Sequence, residues 1–236
     1  MKFNSLDNVA QLNRPILNPD IPAGKISLFK RALDLACLLV ALPTLLPLML
    51  GMAAFIKMVS PGPVFFSQER IGFMGRRFRI FKFRTMKVNA ETSSHQSHLK
   101  ELISSNTPMT KIDAKGDPRI IPFGSILRSS GLDELPQLIN VLKGEMSLVG
   151  PRPCTPYEYE QFQPWHKQRF RALPGLTGLW QVSGKNRTTF NEMINLDIQY
   201  ANQWSLWLDA KIMLLTFPVL FGQIKEQQTC KSRVQK

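Results

Sequence analysis

Cysteine is scarce in this sequence, and its spacing argues against two kinds of site. Cys37, Cys154 and Cys230 are the only three, and they lie far apart. No pair has the Cys-x-x-Cys spacing of structural zinc sites, and an odd number of cysteines does not make a disulfide framework. We therefore predict buried or idle thiols in a reducing compartment.

Acidic residues are also few compared with basic ones. The 236 residues contain 17 acidic and 30 basic side chains, giving a formal charge of +13 and a pI near 10.0. This balance indicates an anionic partner, which could be nucleic acid, anionic lipid or a phosphorylated substrate. Hydrophobic residues make up 44%, which argues against global disorder and is enough for one compact domain plus a membrane element.

The beginning of the chain lacks the features of a secretory signal. Residues 1–27 contain no continuous apolar run and no small-residue cleavage site. Pro15, Pro19, Pro22 and Gly24 instead predict a flexible polar arm over residues 1–27.

Charge is absent from residues 35–56, the longest apolar stretch. A continuous helix of this length would be roughly 33 Å long, and length alone favours a helix that spans the membrane. However, Pro43 and Pro47 each remove a backbone hydrogen bond in mid-segment, and basic residues flank both ends. We therefore predict a re-entrant membrane helix over residues 28–58, broken at Pro43 and Pro47.

The remainder predicts an α+β catalytic domain over residues 59–222 and a polar tail over residues 223–236. Residues 64–71 and 76–86 have the pattern of a β-hairpin. The adjacent apolar residues Ile80 and Phe81 predict a bulge or bend, after which Lys82 and Arg84 leave the face of the earlier arginines. Amphipathic helices surround the hairpin. Thr189 and Glu192 fit a capping box. The apolar residues 206–221, with Trp207 and the preceding Trp204, suit either a core helix or a membrane interface.

One acidic pair is the main candidate for chemistry. Residues 135–142 have helical spacing, and because Pro136 is tolerated only in a first turn, the helix should begin near Leu132 or Asp133 and stop at Gly144. Asp133 and Glu134 then lie at the positive end of the helix. They could simply cap it, or the helix end could hold a carboxylate ionised beside a phosphate.

Arginines near this pair favour the second interpretation. Arg128 lies just upstream, and the Gly-Pro-Arg-Pro motif at 150–153 holds Arg152 between two prolines. Arginine binds phosphate in a bidentate manner. Because no Cys/His or Ser/His arrangement is evident, adjacent carboxylates and rigid arginines indicate phosphate chemistry.

The sequence resembles the bacterial sugar transferase family, the monotopic phosphoglycosyltransferases that initiate exopolysaccharide, capsule and glycan assembly. The resemblance covers residues 28–222, and the chain is similar to the short form of the family. The matching stretches are Lys-Arg at 30–31 with Asp34; Ser-Pro-Gly-Pro at 60–63; Gln-Glu-Arg-Ile-Gly at 68–72; Lys-Phe-Arg-Thr-Met at 82–86; Leu-Asp-Glu-Leu-Pro-Gln at 132–137; Ser-Leu-Val-Gly-Pro-Arg-Pro at 147–153; Pro-Gly-Leu-Thr-Gly-Leu-Trp-Gln-Val-Ser-Gly at 174–184; and Trp-Ser-Leu-Trp-Leu-Asp at 204–209.

The resemblance implies a two-step transfer with Mg²⁺ as cofactor. Asp133 would attack the sugar-bearing phosphate of a UDP-sugar, releasing UMP, and polyprenyl (undecaprenyl) phosphate would take the phosphosugar from the enzyme. Glu134 would help to hold Mg²⁺. The implied phosphate- or substrate-binding residues are Lys82, Arg84, Arg128, Gln137, Arg152 and Asp197. Solvated positions on a strand and on a helix surface are the alternatives for Lys82 and Asp197.

The resemblance also implies a location and partners. The protein would be monotopic, on the cytoplasmic face of the bacterial inner membrane, and would contact its lipid and supply downstream glycosyltransferases. It leaves open a homo-oligomer and the identity of the sugar. Three alternatives remain: a direct ternary-complex transferase, a non-catalytic membrane scaffold, and a nucleic-acid module, for which no recognition motif is present.

Overall fold

The computed structural model describes residues 26–88 and 119–234, together with residues 101, 102, 105, 107 and 108. The predicted arm over residues 1–27 lies almost entirely outside the described residues. The described α-helices are α1 (Leu28–Val59), α2 (Gly124–Ser130), α3 (Leu138–Lys143), α4 (Pro156–Glu160), α5 (Leu179–Val182), α6 (Phe190–Gln203) and α7 (Leu206–Val234). The strands are β1 (Phe65–Ile71), β2 (Arg77–Phe83), β3 (Ser147–Val149) and β4 (Gly175–Thr177). Helices and small sheets together confirm the α+β class.

The first two strands form the predicted hairpin, but without the predicted bulge. Their antiparallel pairing runs from Phe65 opposite Phe83 to Ile71 opposite Arg77, with every residue matched. The parity of a regular strand is sufficient to put Lys82 on the face opposite Arg77. Ile80 and Phe83 point to opposite faces and are both buried. Adjacent apolar residues therefore mark a strand covered on both faces, and the bulge prediction is wrong.

The second sheet brings two loops together by backbone contact. Strands β3 and β4 are parallel, with Ser147 opposite Gly175. A side chain on Gly150 would overlap the Leu173 carbonyl oxygen, and one on Gly175 would overlap the Gly150 amide. Only glycine permits this approach, which places the loop at 150–153 beside the start of β4.

The beginning of α1 is fixed to the domain by buried polar contacts. Lys30 Nζ lies 2.7 Å from Asp209 Oδ2 in α7, and both side chains are almost fully buried. Asp34 Oδ1 accepts hydrogen bonds from Ser147 Oγ at 2.9 Å and from the Leu148 amide at 3.1 Å. These contacts tie the first turns of α1 to α7 and β3.

The end of α1 packs on the same domain through apolar contacts. Met52 and Ile56 form a buried cluster with Phe83, Ile121 and Leu127. Between the two ends, none of residues 39–51 is buried. α1 is continuous through Pro43 and Pro47, so the predicted break at these prolines is not seen in the helix. The helix is long and apolar enough to be a candidate membrane segment. Its middle therefore exposes an apolar surface while both ends are held.

The last two helices carry the polar and apolar features that their sequence predicts. The capping box is confirmed: Thr189 accepts from the Glu192 amide, and the Glu192 carboxylate accepts from the Thr189 amide. In α7, Ile212 is buried, whereas Trp207 and Phe217 are 76% and 63% exposed. This helix is thus both a core element and an exposed apolar surface, and it continues past residue 222 to Val234.

Cys154 confirms the expectation of a buried, idle thiol. Cys154 is 3% exposed, and burial raises the pKa of its thiol. A thiol that stays protonated is a poor nucleophile.

Candidate active site

The acidic pair lies on a tight turn that leads into α3. Residues Leu132–Gln137 form a 3-10 helix rather than the first turn of an α-helix, and α3 follows directly. Gly131 before the turn and Gly144 after α3 both have left-handed backbones, with φ of 72° and 79°. The predicted start and stop are confirmed, and the tighter turn accommodates Pro136.

Lys82 and Glu134 form the central ion pair of the site. Strand β2 packs against the turn, and Lys82 Nζ lies 2.5 Å from Glu134 Oε1. The two side chains are 17% and 26% exposed. The alternative of a solvated Lys82 is wrong, because strand parity turns this side chain toward the acidic turn.

The two carboxyl groups have pKa values shifted in opposite directions, although they are adjacent in sequence. Asp133 is 8% exposed. Burial raises the pKa of Asp133 from 3.8 to about 6, although Lys82 and Arg128 pull it down. We expected the helix end to lower it. That expectation is wrong in direction, because loss of hydration outweighs the attraction of the nearby cations.

Glu134 is held ionised by its neighbours. Burial alone would raise the pKa of Glu134, but Lys82, Arg152 and Lys185 together lower it to about 2. Near neutral pH, Glu134 is therefore fully ionised. Asp133 is about nine-tenths ionised at pH 7 and can exchange a proton in the physiological range.

Backbone contacts hold the loop that carries Arg152. The Pro153 carbonyl oxygen accepts a hydrogen bond from Arg70 at 3.2 Å, and the Arg152 carbonyl oxygen accepts one from Arg169 at 2.7 Å. The Gly175 amide donates to the Pro151 carbonyl at 2.9 Å. Three partners thus fix the backbone on both sides of Arg152, as expected for a residue that must meet a ligand in a defined geometry.

A pocket gathers several of these groups. It is lined by Arg70, Ile80, Lys82, Glu134, Gln137, Arg152, Pro153, Gly175, Leu176 and Gln181. Four of the predicted residues, Lys82, Glu134, Gln137 and Arg152, thus share one cavity. The cations lining it outnumber the carboxylates, so an anionic ligand suits it.

Sequence reasoning missed Arg70 and Gln181 in this pocket. Arg70 is 8% exposed, and its Nε atom has no hydrogen-bond partner. Burial lowers the pKa of its guanidinium. A buried donor without a partner suits a ligand oxygen. For Arg70, the only signal in the sequence was the matching stretch at 68–72. Its position near residue 134 depends on the pairing of β1 with β2.

Two predicted binding residues lie elsewhere, which corrects both assignments. Arg84 is buried and donates to the carbonyl oxygens of Ser60 and Pro61 at 2.8 and 2.7 Å, so it caps the end of α1. Asp197 is 1% exposed rather than solvated, and its Oδ2 lies 2.6 Å from Arg169. Asp197 therefore acts on the site only through Arg169, which holds the backbone of Arg152.

Arg128 lies at the edge of the site, as its sequence position suggested. It is half-buried at the last turn of α2, close enough to Asp133 for its charge to lower the pKa of that carboxyl. Its place is beside the candidate nucleophile and not among the residues that line the pocket.

The residues present fit a metal ion that arrives with a phosphorylated substrate. Among the described residues there is no group of three or more acidic, His or Cys side chains, so a cage built only by the protein is not seen there. Mg²⁺ commonly takes one or two carboxylates plus substrate phosphates and waters. Ionised Glu134, with Asp133 adjacent, supplies that donor set.

Comparisons with known proteins identify the family of the chain. The sequence model of the family described as bacterial sugar transferase matches residues 25–223. Three relatives are a galactosyl transferase CpsE of Streptococcus agalactiae, an exopolysaccharide production protein ExoY of Sinorhizobium fredii, and a UDP-glucose:undecaprenyl-phosphate glucose-1-phosphate transferase of Xanthomonas campestris.

The relatives differ in how much of their length is matched. The first is 49% identical over 67% of this chain and 35% of its own length. The second is 39% identical over 84% of this chain and 87% of its own length. The third is 44% identical over 78% of this chain and 37% of its own length. The chain thus spans about a third of two relatives and most of the other.

Proposed function

Because the chain belongs to the bacterial sugar transferase family, we propose that it transfers a sugar 1-phosphate from a UDP-sugar to polyprenyl phosphate and releases UMP. The observation that carries the proposal is an acidic turn beside a cationic pocket: Glu134 lies 2.5 Å from Lys82 in that pocket, and the buried Asp133 is its neighbour. The names of the relatives include both glucose and galactose, so the proposal stops at a UDP-sugar.

The donor diphosphate is proposed to occupy the pocket lined by Arg70, Lys82 and Arg152. Arginine guanidinium groups suit pairs of phosphate oxygens. Arg70 offers its unpartnered Nε atom, and the fixed backbone of the loop at 150–153 limits where Arg152 can point. Lys82 already contacts Glu134, so it can keep the sugar-bearing phosphate close to the acidic turn.

The first chemical step is proposed to be attack by Asp133. A carboxylate oxygen forms a bond to the sugar-bearing phosphorus, while the bond from that phosphorus to the bridging oxygen breaks. The bonding pair leaves with UMP. No proton need be removed from the nucleophile above pH 6, because Asp133 is then mostly ionised.

The second step restores the enzyme. An oxygen of the polyprenyl phosphate attacks the same phosphorus, forming a diphosphate, and the bond to Asp133 breaks to return the free carboxylate. Glu134 would hold Mg²⁺ beside the donor phosphates. When bound, this ion neutralises charge on the diphosphate. Enzymes that extend the lipid-linked sugar would act next in exopolysaccharide assembly.

A re-entrant α1 is part of the proposal. Both ends of α1 contact the same domain, at Asp209 and Ser147 on one side and at Phe83 and Leu127 on the other. A spanning helix would separate these ends by about 30 Å of hydrocarbon. With the exposed apolar middle, this supports a monotopic protein on the cytoplasmic face of the bacterial inner membrane.

Trapping the intermediate tests the proposed reaction. Purified protein is incubated in detergent with a panel of UDP-sugars and no acceptor, digested, and analysed by mass spectrometry. We expect a phosphosugar adduct on the peptide that contains Asp133, together with stoichiometric UMP. Kinetics with both substrates should follow a ping-pong pattern.

Asp133→Asn and Asp197→Asn serve as a matched pair. Both remove one buried carboxylate. Asp133→Asn should abolish the adduct in protein that remains folded, whereas Asp197→Asn, which acts on the loop of Arg152 through Arg169, should slow adduct formation without abolishing it. If UMP appears only when donor and acceptor are both present, a direct ternary-complex transfer replaces the covalent route. If no UDP-sugar yields UMP under either condition, the chain is not this transferase, and a scaffold role becomes the better explanation.

A further inference from the structure

A short basic turn lies between α5 and α6 and carries a strained residue. Lys185 begins the 3-10 turn Lys185–Arg187 and has a φ of +41°. Left-handed backbone at a residue other than glycine costs about 1 kcal/mol or more, and such strain persists where the surrounding structure imposes it. The turn therefore holds the Lys185 side chain in a defined direction.

Lys185 acts on the acidic pair from outside the pocket. It lies close enough to Glu134 for its charge to act on that carboxylate, yet it is not one of the residues that line the cavity of Lys82 and Arg152. Glu134 thus has cations within the pocket and a further cation beyond its lining.

The same amine contacts the apolar helix α7. Lys185 Nζ donates to Gln223 Oε1 at 3.1 Å, at the end of the candidate membrane segment Leu206–Gln223. This helix exposes Leu214, Phe217 and Phe221. A Cβ built on Gly131 would lie 3.5 Å from Leu220 Cδ2, so α7 passes directly beside the turn that carries Asp133.

We propose that Lys185 binds the phosphate of the polyprenyl phosphate acceptor, an inference that rests on the proposed function. The acceptor joins an anionic phosphate to a tail that must stay in hydrocarbon, so its phosphate has to approach from the apolar side of the site. Lys185 contacts the end of the exposed apolar helix and lies close enough to Glu134 for its charge to act on that carboxylate. The donor carries no such tail and enters the pocket lined by Arg70, Lys82 and Arg152.

Separating the two half-reactions tests this assignment. Single-turnover UMP release without acceptor reports the donor step, and steady-state turnover with varied undecaprenyl phosphate reports the acceptor step. We expect Lys185→Met to raise the KM for undecaprenyl phosphate by about tenfold or more, the usual range for loss of a charge-assisted hydrogen bond. Single-turnover UMP release should stay within about twofold of wild type, and Lys185→Arg should restore most of the acceptor affinity.

Direct binding keeps the test independent of catalysis. Equilibrium binding of radiolabelled undecaprenyl phosphate in detergent micelles should weaken about tenfold in Lys185→Met, whereas binding of undecaprenol, which lacks the phosphate, should not change. If wild type releases no UMP from any UDP-sugar, the proposed function fails, but this measurement still decides the role of Lys185.

Two controls distinguish ligand binding from structural support. Gln223→Leu removes the partner of Lys185 but keeps the cation, so acceptor affinity should be largely retained. Lys211→Met removes an exposed positive charge from α7 and should not change acceptor binding. The assignment is overturned if Gln223→Leu weakens acceptor binding as much as Lys185→Met, if Lys185→Met slows the donor step equally, or if it leaves acceptor binding unchanged.

Discussion

Replacing Asp133 with asparagine should make the protein more stable while it removes activity. Burial raises the pKa of Asp133 from 3.8 to about 6. Because the folded pKa lies above the unfolded one, the folded state holds the proton more tightly, and stability falls as pH rises between these values. Asparagine resembles the protonated side chain at every pH and escapes this cost.

The size of the effect follows from the two pKa values. One pH unit of pKa difference corresponds to about 1.4 kcal/mol, so the ionised carboxylate costs about 3 kcal/mol of unfolding free energy well above pH 6. The cost shrinks to about 1 kcal/mol at pH 4.5, where the folded state is already protonated. For a chain of this size, 3 kcal/mol corresponds to about 6–12 °C in Tm.

Thermal unfolding in detergent at pH 8 and pH 4.5, followed by circular dichroism, measures this difference. Asp133→Asn should unfold at a higher temperature than wild type at pH 8, with a smaller gap at pH 4.5. Glu134→Gln is the matched control of opposite sign. The pKa of Glu134 is lowered to about 2, so its charge stabilises the fold above its unfolded pKa of 4.5. That contribution is lost as pH falls toward 2.

With a quarter of the Glu134 side chain exposed, Glu134→Gln should lose about 2 kcal/mol at neutral pH. The reasoning about burial would be refuted if Asp133→Asn were less stable than wild type at pH 8. It would also be refuted if the difference in Tm between the two proteins did not change with pH.

Four further predictions follow from the contacts. Single cysteines placed near residues 27 and 60, in a background without native cysteines, should both resist a membrane-impermeant thiol reagent added from the periplasm. Replacing Pro43 and Pro47 with leucine should favour a spanning helix and expose one of the sites; labelling of only one site in the parent would contradict the re-entrant proposal. Arg169→Leu should destabilise the protein by about 3–5 kcal/mol in thermal unfolding, because it leaves Asp197 buried without its partner and removes the hydrogen bond to the Arg152 carbonyl oxygen. Arg84→Gln should lower stability by about 2 kcal/mol through loss of two hydrogen bonds to carbonyl oxygens, with no change in the KM for UDP-sugar. Excess EDTA should abolish UMP release, which added Mg²⁺ restores; full turnover in EDTA would contradict the metal proposal.

Local sequence signals predicted the elements that they specify directly. The hairpin, the capping box of α6, and the start and stop around the acidic turn all depend on residues close in sequence. The predicted bulge is absent from β2. The prediction was wrong because alternation along one strand cannot reveal that neighbouring segments cover both of its faces. Ile80 is covered by Val141 and Met146, and Phe83 is covered in part by Ile121 and Leu127; all four are distant in sequence from the strand.

The site was predicted in part for the same reason. The matching motifs identified Lys82, Glu134, Gln137 and Arg152, and these four residues line one pocket. However, a positive charge in a motif does not reveal which groups it contacts. Arg84 lies two residues from Lys82 and yet serves the end of α1. The direction of the pKa shift of Asp133 could not be read from a helix start either, because it depends on the depth of burial.

The contact between Lys30 and Asp209 has a consequence for how the protein is made. The two residues are 179 positions apart, so the ribosome finishes one about 10–35 s after the other at typical rates of synthesis. Throughout that interval the Lys30 amine lacks its Asp209 partner, and the first helix cannot take its final position. Attachment of α1 to the domain is therefore completed only after α7 has been synthesised, so a late helix secures an early one.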